Sequence, residues 1–174
     1  MNEQSYAYER INVVKIIVEG PNGRILLIQE PEMNDWMPGR WGLPGGRPFE
    51  KESIAEAASR KLIEEIGHDL PLSGIYKIEE LLIDGRTVLM FIVVAHSEEE
   101  FVPGGTSFAH KWVDLTDIHK MQIEEFTEYY SKSMFNSYLT GVKELVPIEL
   151  IETHTYYLFS GESEYKRWWE ETDK

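Results

Sequence analysis

Three glutamates and one arginine that follow Gly46 have side chains suited to hold a divalent cation against a phosphate. They are Glu52, Arg60, Glu64 and Glu65. Hydrolysis of a pyrophosphate requires that the charge on the phosphoryl oxygens is neutralised and that a water molecule becomes nucleophilic. Mg²⁺ or Mn²⁺ can do both when carboxylates hold it. The residue types are therefore compatible with a divalent-cation site that could support this chemistry.

The segment from Ser53 to Ile66 is predicted to form the helix that positions these carboxylates. Apolar residues recur at every fourth position, and Gly67 is placed to end the helix. The recurring residues are Ile54, Ala58, Leu62 and Ile66. At about 100° per residue, Glu65 falls within this apolar stripe and Glu64 borders it. Because a bare buried charge is costly, Glu65 must be paired, hydrogen-bonded or bound to metal.

Lys61 lies one helical turn before Glu65 and leaves two interpretations of this carboxylate open. In the first, the Lys61 ammonium and the Glu65 carboxylate form an ion pair at i, i+4 spacing, and the metal is absent. In the second, a cation binds Glu65 and Glu64, and Lys61 competes with it or holds a phosphate of the substrate.

The spacing of these residues resembles the Nudix box, G-x5-E-x7-R-E-U-x-E-E-x-G-U, in which U is a bulky aliphatic residue. The matching residues are Gly46, Glu52, Arg60, Leu62, Glu64, Glu65 and Gly67. The chain departs from the pattern at Lys61, which replaces a glutamate, and at His68, which replaces an aliphatic residue. The resemblance implies hydrolysis of a diphosphate linkage in a small nucleoside diphosphate derivative, with Mg²⁺ or Mn²⁺ as cofactor.

By this resemblance, Glu64 and Glu65 are the core metal ligands, with Glu52 as an outer ligand or water contact. A carbonyl at Gly46 would complete the coordination, since glycine lets the backbone approach closely. Arg60 would orient the carboxylates through its fork of donors. The expected catalytic residues are therefore Glu64, Glu65, Arg60 and Glu52. The glutamate that Lys61 replaces is a metal ligand in the family, so at least one cation site should be weakened.

A further carboxylate from a distant loop often assists in the family, and it would be expected a few residues before Trp112. Residues 105–110 read Gly-Thr-Ser-Phe-Ala-His and contain no acid. Glu98, Glu99 and Glu100 lie at the far end of the same loop. They either fold back toward the site or form a solvated acidic turn, which is the usual fate of a charge run.

Four side chains are predicted to contact the substrate, namely Trp36, Arg40, His110 and Lys61. Trp36 lies in a polar loop and could form a pocket wall, whereas Trp41 beside the glycines is expected in the core. His110 flanks the expected substrate loop. The five histidines show no metal-ligand spacing.

Two β-hairpins and further strands are expected to support the helix. Strands are predicted over residues 11–19 and 24–29, 41–46, 75–83 and 87–96, and 111–113. Helices are predicted over residues 115–121 and 123–139. This order of elements favours an α+β fold. It resembles the Nudix-type α/β/α sandwich with a mixed β-sheet, and we assign residues 1–140 to this domain.

Residues 141–174 form a C-terminal extension that the family core does not explain. A strand is predicted over residues 148–159 and a short helix over residues 162–171, which carries Trp168 and Trp169. The helix could pack on the same domain, because buried Trp would stabilise an otherwise marginal helix. A dimer contact and a substrate lid are the alternatives, and the extension would suit a homodimer.

The composition excludes several classes of partner. The formal net charge is −14 and no block of Lys or Arg occurs, which argues against nucleic acid. The chain has no cysteine, so disulfides, thiolate nucleophiles and cysteine zinc sites are excluded. It has no apolar run that could span a bilayer, and its start lacks the features of a signal peptide. We therefore expect a soluble cytoplasmic protein that does not bind membranes.

Two functions remain open at this point. The first is metal-dependent hydrolysis of a nucleoside diphosphate derivative. The second is a nucleotide-binding or phosphometabolite-binding regulatory module in which Lys61 has weakened catalysis. A basic helix-turn-helix region, which a DNA-binding regulator would need, is not visible. Isomerisation or transfer on an isoprenyl diphosphate would need cysteine and is set aside.

Overall fold

The structure is a computed structural model that describes most of the chain up to residue 148. The described residues are 10–32, 37–83, 86–107, 109–118, 120–127, 135, 137, 138, 140, 141 and 144–148. The predicted strand beyond Ile148 and the predicted helix with Trp168 and Trp169 lie outside them. So does the substrate candidate Trp36.

A seven-stranded mixed β-sheet forms the centre of the fold. Its strands are β1 (Arg10–Glu19), β2 (Arg24–Gln29), β3 (Trp41–Gly42), β4 (Gly45–Gly46), β5 (Leu72–Ile83), β6 (Arg86–His96) and β7 (Ala109–Asp114). The order is β3-β2-β1-β6-β5, with β4 beside β1 and β7 beside β2. Strands β1 and β6 run parallel along their full length, whereas the other pairs are antiparallel. The mixed sheet is as predicted.

Both predicted hairpins form, and the first one opens beyond its turn. A 3-10 turn at Pro21–Gly23 joins β1 to β2, with Asn22 at φ 60°. The two strands pair next to this turn, where Glu19 faces Ile25. Further along β1, Lys15 pairs with Gly45 of β4. The single short strand predicted over residues 41–46 is therefore two strands with different neighbours.

Helices cover both faces of the sheet and give two apolar clusters. Helix α1 (Ile54–Ile66) covers one face. Its buried residues Ala57, Ala58, Leu62 and Ile66 pack on Val14, Ile16, Val18, Leu26 and Ile28. Helix α2 (Leu115–Ile118) lies on the other face. There it packs with Phe126, Phe135 and Tyr138 against Ile17, Ile25 and Leu27. The layers are those of the expected α/β/α sandwich.

The two helices predicted after β7 are wrong in their bounds. Helix α2 is one turn long and ends at Ile118 rather than Met121. The predicted helix over residues 123–139 does not begin at Ile123, where a 3-10 turn of three residues occurs instead, although its described residues 135, 137 and 138 are helical. Phe126 then forms a bridge with Trp41, and the Thr127 N–H donates to the Trp41 carbonyl at 2.8 Å. Pairing with β3 and full burial of Phe126 outweigh the local helical preference.

The first residues of the C-terminal extension pack on the same domain. The backbones of Val146 and Ile75 exchange two hydrogen bonds, at 2.9 and 3.0 Å. A side chain on Gly74 would place its Cβ 2.4 Å from the Val146 carbonyl oxygen, so glycine permits this approach. Leu145 and Ile148 contact the two apolar clusters. No helix in the described ranges is long and apolar enough to cross a membrane.

Candidate active site

Helix α1 positions the charged residues because both of its ends are fixed. The Ser53 hydroxyl accepts a hydrogen bond from the Glu56 N–H at 3.2 Å, and the Glu56 carboxylate accepts one from the Ser53 N–H at 2.9 Å. This capping box satisfies two backbone donors at the N-terminus. Gly67 ends the helix in the left-handed conformation, with φ 76°, as its position in the sequence predicts.

Arg60 connects two of the glutamates through one guanidinium group. It donates to both Glu52 oxygens, at 2.6 and 2.7 Å, and to both Glu64 oxygens, at 3.1 Å each. A further bond reaches the Arg47 carbonyl at 3.2 Å, and the guanidinium lies 3.9 Å above the Phe49 ring. The hydrogen bonds from Arg60 hold the pKa of Glu52 below its ordinary value. The geometry is that of an orienting arginine.

Lys61 bridges the two adjacent carboxylates at the C-terminal end of α1. Its Nζ lies 3.0 Å from Glu64 Oε2 and 3.4 Å from Glu65 Oε1. The hydrogen bond from Lys61, together with Arg60, holds the pKa of Glu64 below its ordinary value. The ion pair that the i, i+4 spacing predicts is therefore present, and Glu64 shares it.

Glu65 is largely buried, as its position in the apolar stripe predicts. Its side chain is 18 % exposed, and its Oε2 accepts a hydrogen bond from the Gly45 N–H at 2.9 Å. Burial raises the pKa of Glu65, while the Gly45 N–H and the charges of Lys61 and Lys15 oppose that rise. Gly45 has φ 151°, and a Cβ there would lie 2.1 Å from the Val14 carbonyl oxygen. Only glycine can present its N–H to Glu65 at this position.

A loop before β7 holds the backbone at the end of α1. The Thr106 N–H donates to the Glu64 carbonyl at 2.8 Å, and the Ser107 N–H donates to the Glu65 carbonyl at 3.2 Å. A Cβ on Gly105 would lie 2.3 Å from the Glu65 carbonyl carbon. The loop therefore fixes the backbone of both glutamates, a role that the sequence analysis missed. The glycine at position 105 was the one signal for such a close approach.

The predicted substrate contacts are not all brought to the carboxylates. His110 lies on β7 opposite Ile28, on the same face as Trp112, which packs on the α1 side of the sheet. The Arg40 guanidinium donates to the carbonyl of Phe126 at 3.4 Å, next to the apolar cluster on the opposite face. Trp41 packs against that same cluster, as expected for a core residue.

Glu100, the last residue of the acidic run at residues 98–100, is paired with a residue outside α1. Glu100 forms an ion pair with Arg24 of β2. Glu98 and Glu99 are exposed and, with His68 and His96, help to line a cavity of about 360 Å³. The interpretation in which this run supplies a further ligand for the α1 carboxylates is therefore wrong for Glu100, because Arg24 takes its carboxylate.

The carboxylates of α1 fit one divalent cation with few protein ligands. Within the described ranges, no three His, Asp or Glu side chains form a group that could hold a metal ion. Glu64 and Glu65 both reach one cation, the Lys61 ammonium, whereas both Glu52 oxygens are taken by Arg60. Mg²⁺ is commonly bound by one or two carboxylates, with water and substrate phosphates as its other ligands. The pair therefore fits a cation that arrives with phosphate, once Lys61 has moved.

Comparisons with known proteins agree with this fold. A family model described as NUDIX domain matches residues 9–134, while curated protein sequences give no match. Among solved structures, a MutT protein from Methanosarcina mazei Go1 is 21 % identical over 77 % of this chain and 96 % of that chain, with a TM-score of 0.67. The dihydroneopterin triphosphate pyrophosphohydrolase of E. coli is 19 % identical over 75 % and 96 %, with a TM-score of 0.60. The NUDIX domain of Shewanella oneidensis NrtR, solved with ADP ribose, is 21 % identical over 80 % and 100 %, with a TM-score of 0.59.

Proposed function

Because the chain belongs to the Nudix family, we propose that it hydrolyses a diphosphate linkage in a small nucleoside diphosphate derivative at the carboxylates of α1. The observation that carries this proposal is the network in which Arg60 holds Glu52 and Glu64 next to Glu65. The names of two structural neighbours support a phosphoanhydride substrate, since one is a pyrophosphohydrolase and the other was solved with ADP ribose.

In this proposal Glu64 and Glu65 hold Mg²⁺ or Mn²⁺, with the Gly46 carbonyl and Glu52 in outer positions. The bound cation would neutralise phosphoryl charge and make a water molecule nucleophilic. Arg60 fixes the carboxylates of Glu52 and Glu64 before substrate arrives, so their ordering does not add to the barrier of the reaction.

Other residues of the site would prepare Glu65 and receive the substrate. The Gly45 N–H holds one Glu65 oxygen, which leaves the other to face the cation position. Lys61 presents a positive charge at the same place and would attract a phosphate oxygen. We keep Lys61 and His110 as the proposed substrate contacts on the α1 side of the sheet, with Arg40 and Trp36 as proposed contacts for a part of the substrate beyond the carboxylates.

The test is release of phosphate or pyrophosphate from nucleoside triphosphates, sugar nucleotides and dinucleoside polyphosphates, with Mg²⁺ and with Mn²⁺. We expect turnover that requires the metal and is lost in Glu65→Gln and Glu64→Gln. Glu80→Gln is the matched control, because it makes the same chemical change at an exposed residue of β5, away from α1. Absence of turnover on every compound, from protein shown to be folded, would overturn the proposal.

A second function is favoured by one observation, the ion pairs from Lys61 to both carboxylates. They allow a binding module that keeps the pocket but does not hydrolyse its ligand. Calorimetry would distinguish the two, because such a module binds a nucleotide without metal and leaves it intact.

A further inference from the structure

We propose that Lys61 is the resident cation of this site: its ammonium joins Glu64 to Glu65 in the free protein and must leave Glu65 before a divalent cation binds. This inference rests on the proposed function for the assignment of the two carboxylates as a cation site. It adds that the free protein binds divalent cations weakly, and it names the residue responsible.

The position of the ammonium is the first observation. Nζ lies 3.0 Å from Glu64 and 3.4 Å from Glu65, so it occupies the space where one cation can contact both carboxylates. The Lys61 side chain is 20 % exposed and is therefore mostly covered by protein. A divalent cation bound to the same two oxygens would meet a like charge at contact distance.

Gly46 of β4 lies against the end of the Lys61 side chain. A Cβ on Gly46 would lie 2.7 Å from Lys61 Cε, so a side chain there would push the flexible end of Lys61 out of its present position. The absence of a side chain at Gly46 therefore makes room for the Lys61 stem. This second observation does not depend on charge.

The balance of charge around Lys61 is the third observation. Three carboxylates are matched by three cations, which are Glu52, Glu64 and Glu65 against Lys15, Arg60 and Lys61. These six described side chains have no net charge by themselves, and Glu56 adds one negative charge near Glu52. A glutamate at position 61 would instead leave four carboxylates against two cations, a net charge of −2 that one divalent cation balances. Lys61 thus supplies within the chain the charge that a metal would otherwise bring.

The experiment titrates the free protein with Mn²⁺ alone and follows unbound Mn²⁺ by electron paramagnetic resonance. Lys61→Met keeps the unbranched stem and removes the charge, and Lys61→Glu reverses the charge. We expect the affinity for Mn²⁺ to rise at least about tenfold in Lys61→Met and further in Lys61→Glu, as removal of a charge beside the ion predicts. Lys120→Met is the matched control, because it removes one charge from an exposed i, i+3 ion pair with Asp117.

Equal affinity in the parent and Lys61→Met would overturn the inference whatever Lys61→Glu shows, because a glutamate also adds a ligand. An equal gain in Lys120→Met would overturn it too. Thermal melting in the presence of a chelator shows that each variant is folded, and if Lys61→Met does not fold, equal affinity in the parent and Lys61→Glu overturns the inference. No turnover is measured, so this inference can fail while hydrolysis stands. A gain in Mn²⁺ affinity without turnover in the parent would support the inference and count against the proposed hydrolysis.

Discussion

Replacement of Arg60 by methionine tests whether the guanidinium organises the glutamates. Methionine keeps an unbranched side chain but removes every donor. Two hydrogen bonds to Glu52, two to Glu64 and one to the Arg47 carbonyl are lost. The Glu52 carboxylate keeps the Phe49 N–H, at 2.7 Å, as a donor.

The size of the effect follows from the exposure of the two carboxylates. The Glu64 side chain is 41 % exposed and keeps Lys61 as a partner, so the loss of its bonds to Arg60 should cost little. The Glu52 side chain is only 13 % exposed and loses two charge-assisted bonds. We therefore expect Arg60→Met to lower the free energy of unfolding by about 2 kcal/mol. For a domain of this size, Tm should fall by about 4 to 8 °C.

The dependence of stability on pH gives a second readout for the same variant. A carboxyl whose pKa is lowered by folding stabilises the fold above its ordinary pKa of 4.5, and that stabilisation is lost as pH falls through the lowered pKa. Without Arg60, the pKa of Glu52 returns toward its ordinary value. The loss of stability below pH 4.5 should then be shallower in Arg60→Met than in the parent protein.

Urea unfolding at neutral pH and across the range below pH 4.5 measures both effects. Arg60→Lys is the informative comparison, since lysine keeps the charge but cannot donate two parallel bonds to one carboxylate, and its loss should be intermediate. If Arg60→Met unfolded at the same urea concentration as the parent and followed the same acid profile, the guanidinium would not be holding Glu52 in solution.

Two further predictions concern the backbone at the ends of α1. Gly105→Ala should destabilise the protein by about 2 kcal/mol, because its Cβ would lie 2.3 Å from the Glu65 carbonyl carbon. Gly104→Ala should have almost no effect on stability, since nothing lies within 4 Å of a Cβ there. Equal denaturant midpoints for the two variants would refute this close approach. Ser53→Ala removes the hydroxyl that accepts a hydrogen bond from the Glu56 N–H at the start of α1, and it should lower Tm by about 2 to 4 °C in a calorimetric scan. Ser53→Thr keeps a hydroxyl and should largely avoid this loss.

The parts of the fold that the sequence predicts correctly are those with local signals. Alternating β-branched residues and turn residues mark the two hairpins. Apolar residues at every fourth position, followed by Gly67, mark α1. The failure at residues 123–127, the first part of the helix predicted over residues 123–139, has a different origin. Phe126 forms a bridge with Trp41, which is far away in the chain, and no local sequence pattern predicts this contact.

The candidate site divides in the same way. The helical periodicity places Glu65 in the apolar stripe and predicts that it needs a partner, and the structure supplies Lys61 and the Gly45 N–H. The helical spacing could not decide which partner Glu65 has, because an ammonium group and a metal ion can both balance the charge of its carboxylate. The backbone bonds from Thr106 and Ser107 leave no side-chain signature of their own, and Gly105 beside them indicates a close approach without indicating its partner.

These contacts together explain why the arrangement of the carboxylates does not depend on a bound metal. Glu64 and Glu65 are adjacent on one helix, and two like charges in a partly buried place would repel each other if left alone. Here Lys61 neutralises that repulsion from within the helix, while Arg60 holds Glu64 from the other side. The ordering of the site is therefore a property of the folded chain. In the proposed function, the contact that stabilises the carboxylates in the free protein is also the one that a divalent cation would displace.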